Sequence, residues 1–332
     1  MAKIEIAVDF GSAYITIFLK NGGLALREPT LAAVVRNKGK VEIIESGTRA
    51  KALLSRSLGG AHLVYPVKEG MAADMDVAAA LIKLYIARVL PDVFRTKISA
   101  LVLVSAGLTA EERKDIERVF VRAGIKDVML TESPLALIAY TDSIGGIFVD
   151  IGAGTAEIAA VTKRGIAYAS TVNIAGNAFN NALIDMAAEK YHLKIGDYSA
   201  EKIKISSASL FQNDFSETEA GGRDLISGSP KSVQIAAVDI RNALKPLADY
   251  LVEVINTVFK STPPELAEEI YRKGVFFSGG SSRLPGLKEY VASRLDMNVT
   301  CLEDVDNAVA LGGGRLLSDK TFLGNLLGIK LT

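Results

Sequence analysis

The amino-acid sequence predicts an α/β protein made of two similar lobes, and three observations support this. Short apolar runs typical of strands alternate along the chain with segments whose apolar residues recur at helical spacing. Two strand–turn–strand segments of the same form enter their turns at Asp9 and Asp150, which are 141 positions apart. The 332 residues suffice for about two domains with sizeable cores. We therefore expect mixed sheets with helices and one aspartate-bearing hairpin in each lobe.

The two hairpins are Val8-Asp-Phe-Gly-Ser-Ala13 and Val149-Asp-Ile-Gly-Ala-Gly-Thr-Ala-Glu157. Glycine permits positive φ and lets a ligand approach the backbone, and successive free N–H groups form a concavity that binds anions. A carboxylate at the mouth of such a turn suits a hydrated divalent cation. For one such segment alone, an ordinary hairpin is the better explanation. The matched pair favours a cleft that grips a polyphosphate and its metal from both sides.

Composition excludes several classes of protein. Hydrophobic residues make up 49% and charged residues 23% of the chain, an ordinary globular balance. Lys+Arg and Asp+Glu both number 38, so the net charge gives no indication of nucleic-acid binding. The single cysteine, Cys301, excludes an internal disulfide and fits a reducing compartment. Lys3 and Glu5 argue against a signal peptide, and no apolar run is long enough to span a bilayer, so we expect a cytoplasmic protein.

Periodicity and turn signals define the elements between the hairpins. Residues 30–66 carry short strand and helix patterns that indicate a small inserted subdomain. Thr109, with Glu112 three residues later, has the form of a capping box at the start of a helix. The other expected elements are strands at 3–8, 15–19, 24–27, 32–36, 41–44, 98–104 and 128–130 and helices at 47–54, 77–90, 109–123 and 135–142.

Similar signals continue after the second hairpin. We expect a long helix at 237–260 to be capped by Asp239 or by residues on the side of Ser232. Ser278-Gly-Gly-Ser-Ser282 follows a strand and precedes a helix, where backbone amides favour an anionic ligand. Gly312-Gly-Gly314 lies in a helical pattern at 304–317, and tight packing without a ligand explains it at least as well. The other expected elements are helices at 178–191 and 200–208, a strand pair at 223–226 and 232–235, and a strand at 275–277.

Four motifs, in this order, resemble the ATPase superfamily of actin, the heat-shock chaperones and the sugar kinases. They are Asp9-x-Gly-Ser, Glu132-x-Pro, Asp150-x-Gly-x-Gly-Thr and Ser278-Gly-Gly-Ser. Further local strings are most similar to the MreB-type bacterial actins: Glu28-Pro29, Tyr65-Pro-Val-Lys-Glu-Gly70, Ala200-Glu-Lys-Ile-Lys204, Gly222-Arg-Asp-Leu225 and Thr262-Pro-Pro-Glu-Leu266. The resemblance covers about residues 4–318 and implies an actin-like ATPase fold. It implies a lobe I at 1–142 plus 315–332, with an insertion at about 30–68, and a lobe II at 143–314, with an insertion at about 177–245.

The resemblance also implies ATP as ligand, Mg²⁺ as its metal and a role for each matching residue. Asp9 and Asp150 would hold Mg²⁺, mainly through water. Glu132 would position the attacking water of a slow ATP hydrolysis, and a helix-start carboxylate favoured by the helix dipole is its structural alternative. The implied nucleotide contacts are Gly11, Ser12 and Ala13 on one side of the phosphates, Gly152, Ala153, Gly154 and Thr155 on the other, and Glu201, Lys204, Gly279, Gly280 and Ser281 around the adenosine.

Four residues depart from the usual pattern of that family. Tyr14 replaces an asparagine after the first turn, and Ala153 replaces a glycine, which would strain the second turn if its φ were positive. Asn177 and Asn180 replace acidic residues that usually follow Gly176. We therefore expect either slower hydrolysis than in the family or a nucleotide that serves mainly as a structural ligand.

The resemblance implies partners as well. A filament would form by head-to-tail contacts between copies of the chain, at the inner face of the cell membrane and with the cell-wall synthesis machinery as a further partner. The apolar pair Val93-Phe94 would dip into the membrane or, alternatively, cover the protein's own core. The apolar stripe at 322–331 would dock on its own domain, contact the next subunit or lie at a membrane interface.

Two other functions stay open from the sequence. A small-molecule kinase could use the same cleft to phosphorylate a sugar or acetate, and it would need a substrate carboxylate beside the γ-phosphate. A chaperone-like or division-scaffold module could bind ATP without polymerising alone. No nucleic-acid partner is expected from any of these interpretations.

Overall fold

The computed structural model describes residues 3–37, 39–54, 60–90 and 97–327. The chain separates into two compact units. The first comprises Met1–Gly145, Val161–Thr171 and Asp306–Thr332, and the second comprises Gly146–Ala160 and Val172–Val305. Val93 and Phe94, which were expected to contact a membrane, lie outside the described residues, as do residues 328–331 of the apolar stripe.

The N-terminal part of the chain forms strands β1 to β10 and helices α1 to α4. The strands are β1 (Lys3–Phe10), β2 (Tyr14–Leu19), β3 (Gly23–Pro29), β4 (Ala32–Asn37), β5 (Lys40–Ser46), β6 (His62–Val64), β7 (Val67–Lys68), β8 (Met71–Ala72), β9 (Lys97–Val104) and β10 (Asp127–Glu132). The helices are α1 (Gly47–Lys51), α2 (Met75–Val89), α3 (Ala110–Arg122) and α4 (Ser133–Thr141).

The remainder forms strands β11 to β18 and helices α5 to α11. The strands are β11 (Gly145–Ile151), β12 (Ala156–Thr162), β13 (Gly165–Val172), β14 (Leu193–Lys194), β15 (Glu217–Asp224), β16 (Pro230–Ala236), β17 (Val275–Ser278) and β18 (Val299–Cys301). The helices are α5 (Gly176–Tyr191), α6 (Asp197–Ser207), α7 (Ala237–Lys260), α8 (Pro264–Lys273), α9 (Leu287–Leu295), α10 (Ala308–Ser318) and α11 (Lys320–Leu327), with a 3₁₀ turn at Gly280–Arg283.

The two five-stranded sheets repeat one strand order. The first runs β10-β9-β1-β2-β3 and the second runs β18-β17-β11-β12-β13. In the first, β1 pairs with β9 and β9 with β10 in parallel, and in the second β11 pairs with β17 and β17 with β18 in parallel. The hairpin repeat seen in the sequence is therefore a repeat of a whole sheet topology.

The core of the first unit lies between its sheet and the helices α2 and α3. Every residue of β9 after Lys97 is buried, as expected for a parallel strand at the interior of a sheet. Tyr85 of α2 and Phe120 of α3 are fully buried in this core, and the Phe120 ring packs edge-on against Phe10 at 5.6 Å between ring centres. The contact fixes α3 against the end of β1, next to the first hairpin turn.

Helix α10 packs unusually close to its neighbours in the first unit. A Cβ on Gly312 would lie 1.9 Å from the Ala136 carbonyl oxygen of α4, and one on Gly314 would lie 2.3 Å from the Phe18 ring of β2. Gly313 similarly faces Ala7 of β1. Packing alone accounts for the three glycines, and tight packing was one of the explanations that the sequence left open. The helix begins at Ala308 rather than at residue 304.

Several predicted elements are confirmed and others need correction. Helix 237–260 is confirmed as α7, but its predicted cap is wrong. Ala236 is the N-cap residue and no side chain caps the helix. The Asp239 carboxylate instead accepts hydrogen bonds from Lys190 and Tyr191 at the end of α5, because a tertiary partner outcompetes the local backbone. The helix predicted at 47–54 ends already at Lys51.

The capping box of α3 and part of the apolar stripe behave as the sequence indicates. The Thr109 hydroxyl accepts from the Glu112 N–H and the Glu112 carboxylate accepts from the Thr109 N–H. In α11, the Leu323 side chain is 1% exposed, so this part of the stripe packs on the protein itself. Among the described residues, no helix has both the length and the apolar character needed to cross a membrane.

Candidate functional site

The turn of the first hairpin is closed by a single backbone hydrogen bond. The Gly11 N–H donates to the Tyr14 carbonyl at 3.1 Å, just after the strand position at which Asp9 lies opposite Thr16. A Cβ on Gly11 would lie 2.7 Å from that same carbonyl oxygen. Only glycine therefore closes this turn without displacing its own backbone.

Neighbouring segments of the first unit take up the carbonyls of this turn. The buried Thr30 donates its hydroxyl to the Gly11 carbonyl at 2.7 Å and its N–H to the Ala13 carbonyl at 2.9 Å. The Ser12 hydroxyl accepts from the Gly70 N–H at 3.1 Å. Among the described residues, no hydrogen bond uses the N–H groups of Ser12 and Ala13. The turn therefore retains donors suited to an anion such as a phosphate.

Glu132 and Asp9 lie at the same end of the first sheet, where the parallel strands β10 and β1 terminate. Asp9 lies opposite Leu103 of β9, and Glu132 lies opposite the next residue of β9, Val104. Since both flanking strands run parallel to β9, the Cα atoms of Asp9 and Glu132 are two strand spacings apart, about 10 Å, and the offset of one residue places their side chains on opposite faces of the sheet. The repeat in the sequence could not indicate this, because Glu132 belongs to a different motif.

Glu132 also has a partner that sequence reasoning missed. The Arg113 guanidinium of α3 donates to Glu132 Oε1 at 2.5 Å, and each side chain is about a quarter exposed. Glu132 is the N-cap residue of α4, but its side chain makes no capping hydrogen bond. The position at the start of a helix agrees with the structural alternative, and the catalytic role of Glu132 stays a prediction. In the sequence, only the position of Arg113 next to the α3 capping box could have indicated this ion pair.

The second hairpin has the same turn, but different residues contact it. The Gly152 N–H donates to the Thr155 carbonyl at 3.0 Å. The Gly152 carbonyl accepts from the Gly176 N–H at 3.1 Å and from the Ser281 hydroxyl at 2.8 Å. The Ala153 carbonyl accepts from the Asn177 N–H at 2.8 Å, and Ala153 does not have a positive φ. Ala153 therefore does not strain the second turn, because the expected strain required a positive φ at this residue.

Asp150 is held at the end of β11 by the neighbouring strand. It lies opposite Ser278 of β17, whose hydroxyl donates to Asp150 Oδ1 at 2.5 Å. Burial raises the pKa of the Asp150 carboxyl, and the hydrogen bond from Ser278 opposes this rise. Gly279 then turns the chain with φ of 79°, where a Cβ would lie 2.4 Å from the Ile151 carbonyl oxygen. A nearby cation would offset the cost of keeping this carboxylate ionised.

A second cluster in the same unit connects α5, α6 and the second hairpin. Lys204 donates from Nζ to the Glu201 carboxylate at 2.6 Å and to the Gly176 carbonyl at 3.1 Å. Asn180 donates from Nδ2 to the same carboxylate at 2.8 Å, while its buried Oδ1 finds no hydrogen-bond donor among the described residues. Of the two asparagines that replace acidic residues, Asn180 therefore donates from its side chain, whereas Asn177 donates through its backbone N–H.

These contacts give a test of whether a nucleotide fits. A Cβ on Gly176 would lie 2.9 Å from Ser281 Oγ and 3.1 Å from Lys204 Nζ, so a side chain here would displace both groups. The loops that the sequence assigned to phosphate and adenosine are thus joined into one cradle in the second unit, and the residues fit such a ligand. Within the described residues there is no group of three or more His, Cys, Asp or Glu that could hold a metal.

Tyr14, the departure in the first turn, has a specific neighbour. The Arg27 guanidinium lies over the Tyr14 ring at 3.8 Å from its centre, and Arg27 also pairs with Asp306 at 3.3 Å. The tyrosine side chain therefore stacks against charged residues of the same unit. The turn itself uses only the Tyr14 backbone.

Comparison with known proteins gives matches along nearly the whole chain. The family model described as MreB/Mbl protein matches residues 3–324. The cell shape-determining protein Mbl of Bacillus cereus is 32% identical over 321 residues, covering 95% of this chain and 96% of that protein. The cell shape-determining protein MreB of Escherichia coli K12 is 31% identical over 326 residues, covering 96% of this chain and 94% of that protein.

Solved structures with the same fold are also found. The crystal structure of MreB5 of Spiroplasma citri bound to AMPPNP superposes with a TM-score of 0.88 at 25% identity, covering 98% of both chains. A MamK double helical filament superposes with a TM-score of 0.81 at 21% identity, covering 96% of this chain and 99% of the other. The actin-like fold expected from the sequence motifs is confirmed.

Proposed function

We propose that this chain, which belongs to the MreB/Mbl family, is a filament-forming bacterial actin that binds Mg-ATP and hydrolyses it slowly. Relatives at 32% and 31% identity are named cell shape-determining proteins, and the Spiroplasma citri relative has been solved with AMPPNP and with ADP. The MamK structure is of a filament, and at 21% identity it supports the fold alone. Nucleotide-dependent assembly and control of cell shape follow for this chain as proposals.

One observation carries the nucleotide assignment. The second hairpin, the first turn of α5, the α6 pair Glu201–Lys204 and Ser281 are linked by hydrogen bonds of 2.6 to 3.1 Å into one cradle. A side chain on Gly176, at the centre of this cradle, would displace the Ser281 hydroxyl and the Lys204 ammonium group. Such a network of small residues and fixed carbonyls leaves backbone amides available for phosphates and polar groups for a nucleoside.

Each group has a proposed task. Asp9 and Asp150 would hold Mg²⁺ together with water, and the ion would supply charge neutralisation on the phosphates. The N–H groups of Ser12, Ala13, Ala153 and Gly154 would bind phosphate oxygens. Glu132 would accept a hydrogen bond from the attacking water and orient it, since phosphoryl transfer depends mostly on positioning and electrostatics. Glu201, Lys204, Gly279, Gly280 and Ser281 would line the adenosine.

The location and partners of the protein are part of the proposal. We place it in the cytoplasm at the inner face of the membrane, where filaments would act with the cell-wall synthesis machinery. Val93 and Phe94 would supply the membrane contact. Phe94→Ser should reduce co-flotation with anionic liposomes and leave ATP affinity unchanged. Equal flotation of wild type and variant would remove this pair from the account.

The sedimentation of the protein with Mg-ATP, measured together with phosphate release, tests the function. We expect wild type to pellet with Mg-ATP and to release phosphate slowly. Glu132→Ala should still pellet with Mg-ATP, because binding is intact, and should release little phosphate. Pelleting that does not depend on nucleotide in either protein would contradict the filament assignment.

The same assay separates the alternatives. A small-molecule kinase would turn over ATP briskly only when a sugar or acetate is added, and it would not pellet. A non-polymerising scaffold would bind ATP in the same cradle and stay in the supernatant at every nucleotide concentration.

A further inference from the structure

The ion pair between Arg113 and Glu132 joins a proposed catalytic group to a neighbouring helix. The guanidinium reaches Glu132 Oε1 at 2.5 Å. Glu132 Oε2 has no hydrogen bond to any described residue, and the side chain is 25% exposed. One carboxylate oxygen is therefore fixed, and the other stays available to accept from water.

Arg113 is itself held firmly. It lies in the first turn of α3, where its N–H donates to the Thr109 carbonyl at 3.0 Å, directly after the Thr109–Glu112 capping box. The same helix carries Phe120, whose ring contacts Phe10, the residue before Gly11. Helix α3 thus touches the first hairpin with one residue and Glu132 with another, so it fixes the distance between them.

We infer that Arg113 is a positioning residue for ATP hydrolysis. Its guanidinium sets the rotamer of the Glu132 side chain so that Oε2 faces the attacking water at the edge of the first sheet. The inference rests on the proposed function, because it assigns a task to a residue that acts through Glu132. A glutamate carboxylate, at the end of three rotatable bonds, would otherwise sample several orientations, and small misplacements of catalytic groups reduce rates steeply.

A purely structural salt bridge is the competing explanation. Partly exposed ion pairs contribute little to stability, so losing this one should leave the fold intact. Arg118, on the same helix, offers a matched control. It pairs with Glu111 at 3.0 Å and Asp115 at 2.5 Å, and neither partner has a proposed catalytic role.

The test compares Arg113→Ala, Arg113→Lys and Arg118→Ala for phosphate release, KM for ATP and thermal unfolding. We expect Arg113→Ala to lower kcat about tenfold or more with KM and ATP-dependent pelleting unchanged. Arg113→Lys should recover part of the rate, because lysine keeps a charge but loses the planar fork. Arg118→Ala should match wild type in kcat, although it removes ion pairs from the same helix as Arg113→Ala does.

A double variant completes the test. In the Glu132→Ala background, Arg113→Ala should have no further effect on kcat, because its only route to the reaction is through Glu132. Unchanged or faster turnover in Arg113→Ala, or an equal further loss in the double variant, would overturn the inference. Wild type that binds ATP and releases no phosphate would instead refute the proposed hydrolysis, and the inference with it.

Discussion

The two hairpins share a turn and differ in what surrounds it. Gly11 and Gly152 close their turns with the same hydrogen bond to the third residue on, at 3.1 and 3.0 Å. In both repeats the segment after the third strand of the sheet takes up the carbonyls of the turn. In the first repeat this segment is Thr30 and in the second it is the start of α5 at Gly176. In both turns, other parts of the protein donate hydrogen bonds to the backbone carbonyls, while backbone N–H groups of the turn stay available for a ligand.

The difference lies in what the neighbouring parallel strands present. In the first sheet β10 ends in Glu132, and β9 ends in Val104 and continues into a turn at Ala106 and Gly107. In the second sheet β17 ends in Ser278, whose hydroxyl donates to Asp150, and the chain continues through Gly279 to Ser281, whose hydroxyl donates to the Gly152 carbonyl. We propose that the same topology serves two tasks, with Glu132 of the first sheet acting in the reaction and the second sheet holding the ligand.

The largest expected effect is at Gly279 of the second repeat. In Gly279→Ala the new Cβ would lie 2.4 Å from the Ile151 carbonyl oxygen at a φ of 79°. We expect a loss of about 3–5 kcal/mol in the free energy of unfolding, because the clash and the left-handed backbone add, and ATP binding should disappear. Urea unfolding and fluorescent-nucleotide titration measure both.

Gly228→Ala is the matched control for Gly279. Gly228 has φ of 73° with no heavy atom within 4 Å of its Cβ position, so only backbone strain is added. We expect about 1–2 kcal/mol of lost stability and unchanged ATP affinity. Equal losses in the two variants would show that contact with Ile151 contributes nothing.

The second prediction compares the equivalent glycines of the two turns. Gly11→Ala should lose about 1–3 kcal/mol, since its Cβ meets the Tyr14 carbonyl oxygen at 2.7 Å. Gly152→Ala should lose less than about 1 kcal/mol, since its Cβ lies 3.4 Å from the Thr155 carbonyl oxygen. Urea unfolding of both variants without nucleotide checks the difference. A larger loss in Gly152→Ala would invalidate the comparison of the turns.

The third prediction concerns Asp150, whose pKa is raised by burial. A raised pKa means that the folded protein binds this proton more tightly than the unfolded chain, so stability falls as pH rises through the folded pKa. Asp150→Asn should therefore raise the melting temperature of the nucleotide-free protein at neutral pH and abolish the stabilisation by Mg-ATP. This increase in melting temperature over wild type should become smaller at acidic pH. A melting temperature of Asp150→Asn below that of wild type at neutral pH would contradict the prediction.

The smallest effect is expected at Tyr14 of the first repeat. Tyr14→Asn removes a ring that stacks with Arg27 at 3.8 Å and should cost about 0.5–1 kcal/mol. Because the turn uses only the Tyr14 backbone, ATP affinity should not change. A change in nucleotide affinity larger than twofold, measured by titration, would show that this side chain tunes the phosphate turn.

The sequence predicted what local chemistry determines. The two turns, the capping box of α3 and the bounds of α7 all follow from residues a few positions apart. The contacts of Arg113 with Glu132, of Thr30 with Gly11 and of Asp239 with Lys190 were missed or misassigned. Their partners are 19 to 49 positions apart, so only the packing of α3, β3 and α5 brings them together.

The most direct test of this division of tasks measures ATP affinity and single-turnover phosphate release on Gly176→Ala and Glu132→Ala. We predict that Gly176→Ala weakens ATP binding at least about tenfold, while the nucleotide that still binds is hydrolysed at the wild-type rate. Glu132→Ala should bind ATP like wild type and hydrolyse it about a hundredfold more slowly. If Glu132→Ala lost affinity as much as rate, or Gly176→Ala bound ATP normally, the two sheets would not have the separate tasks assigned to them.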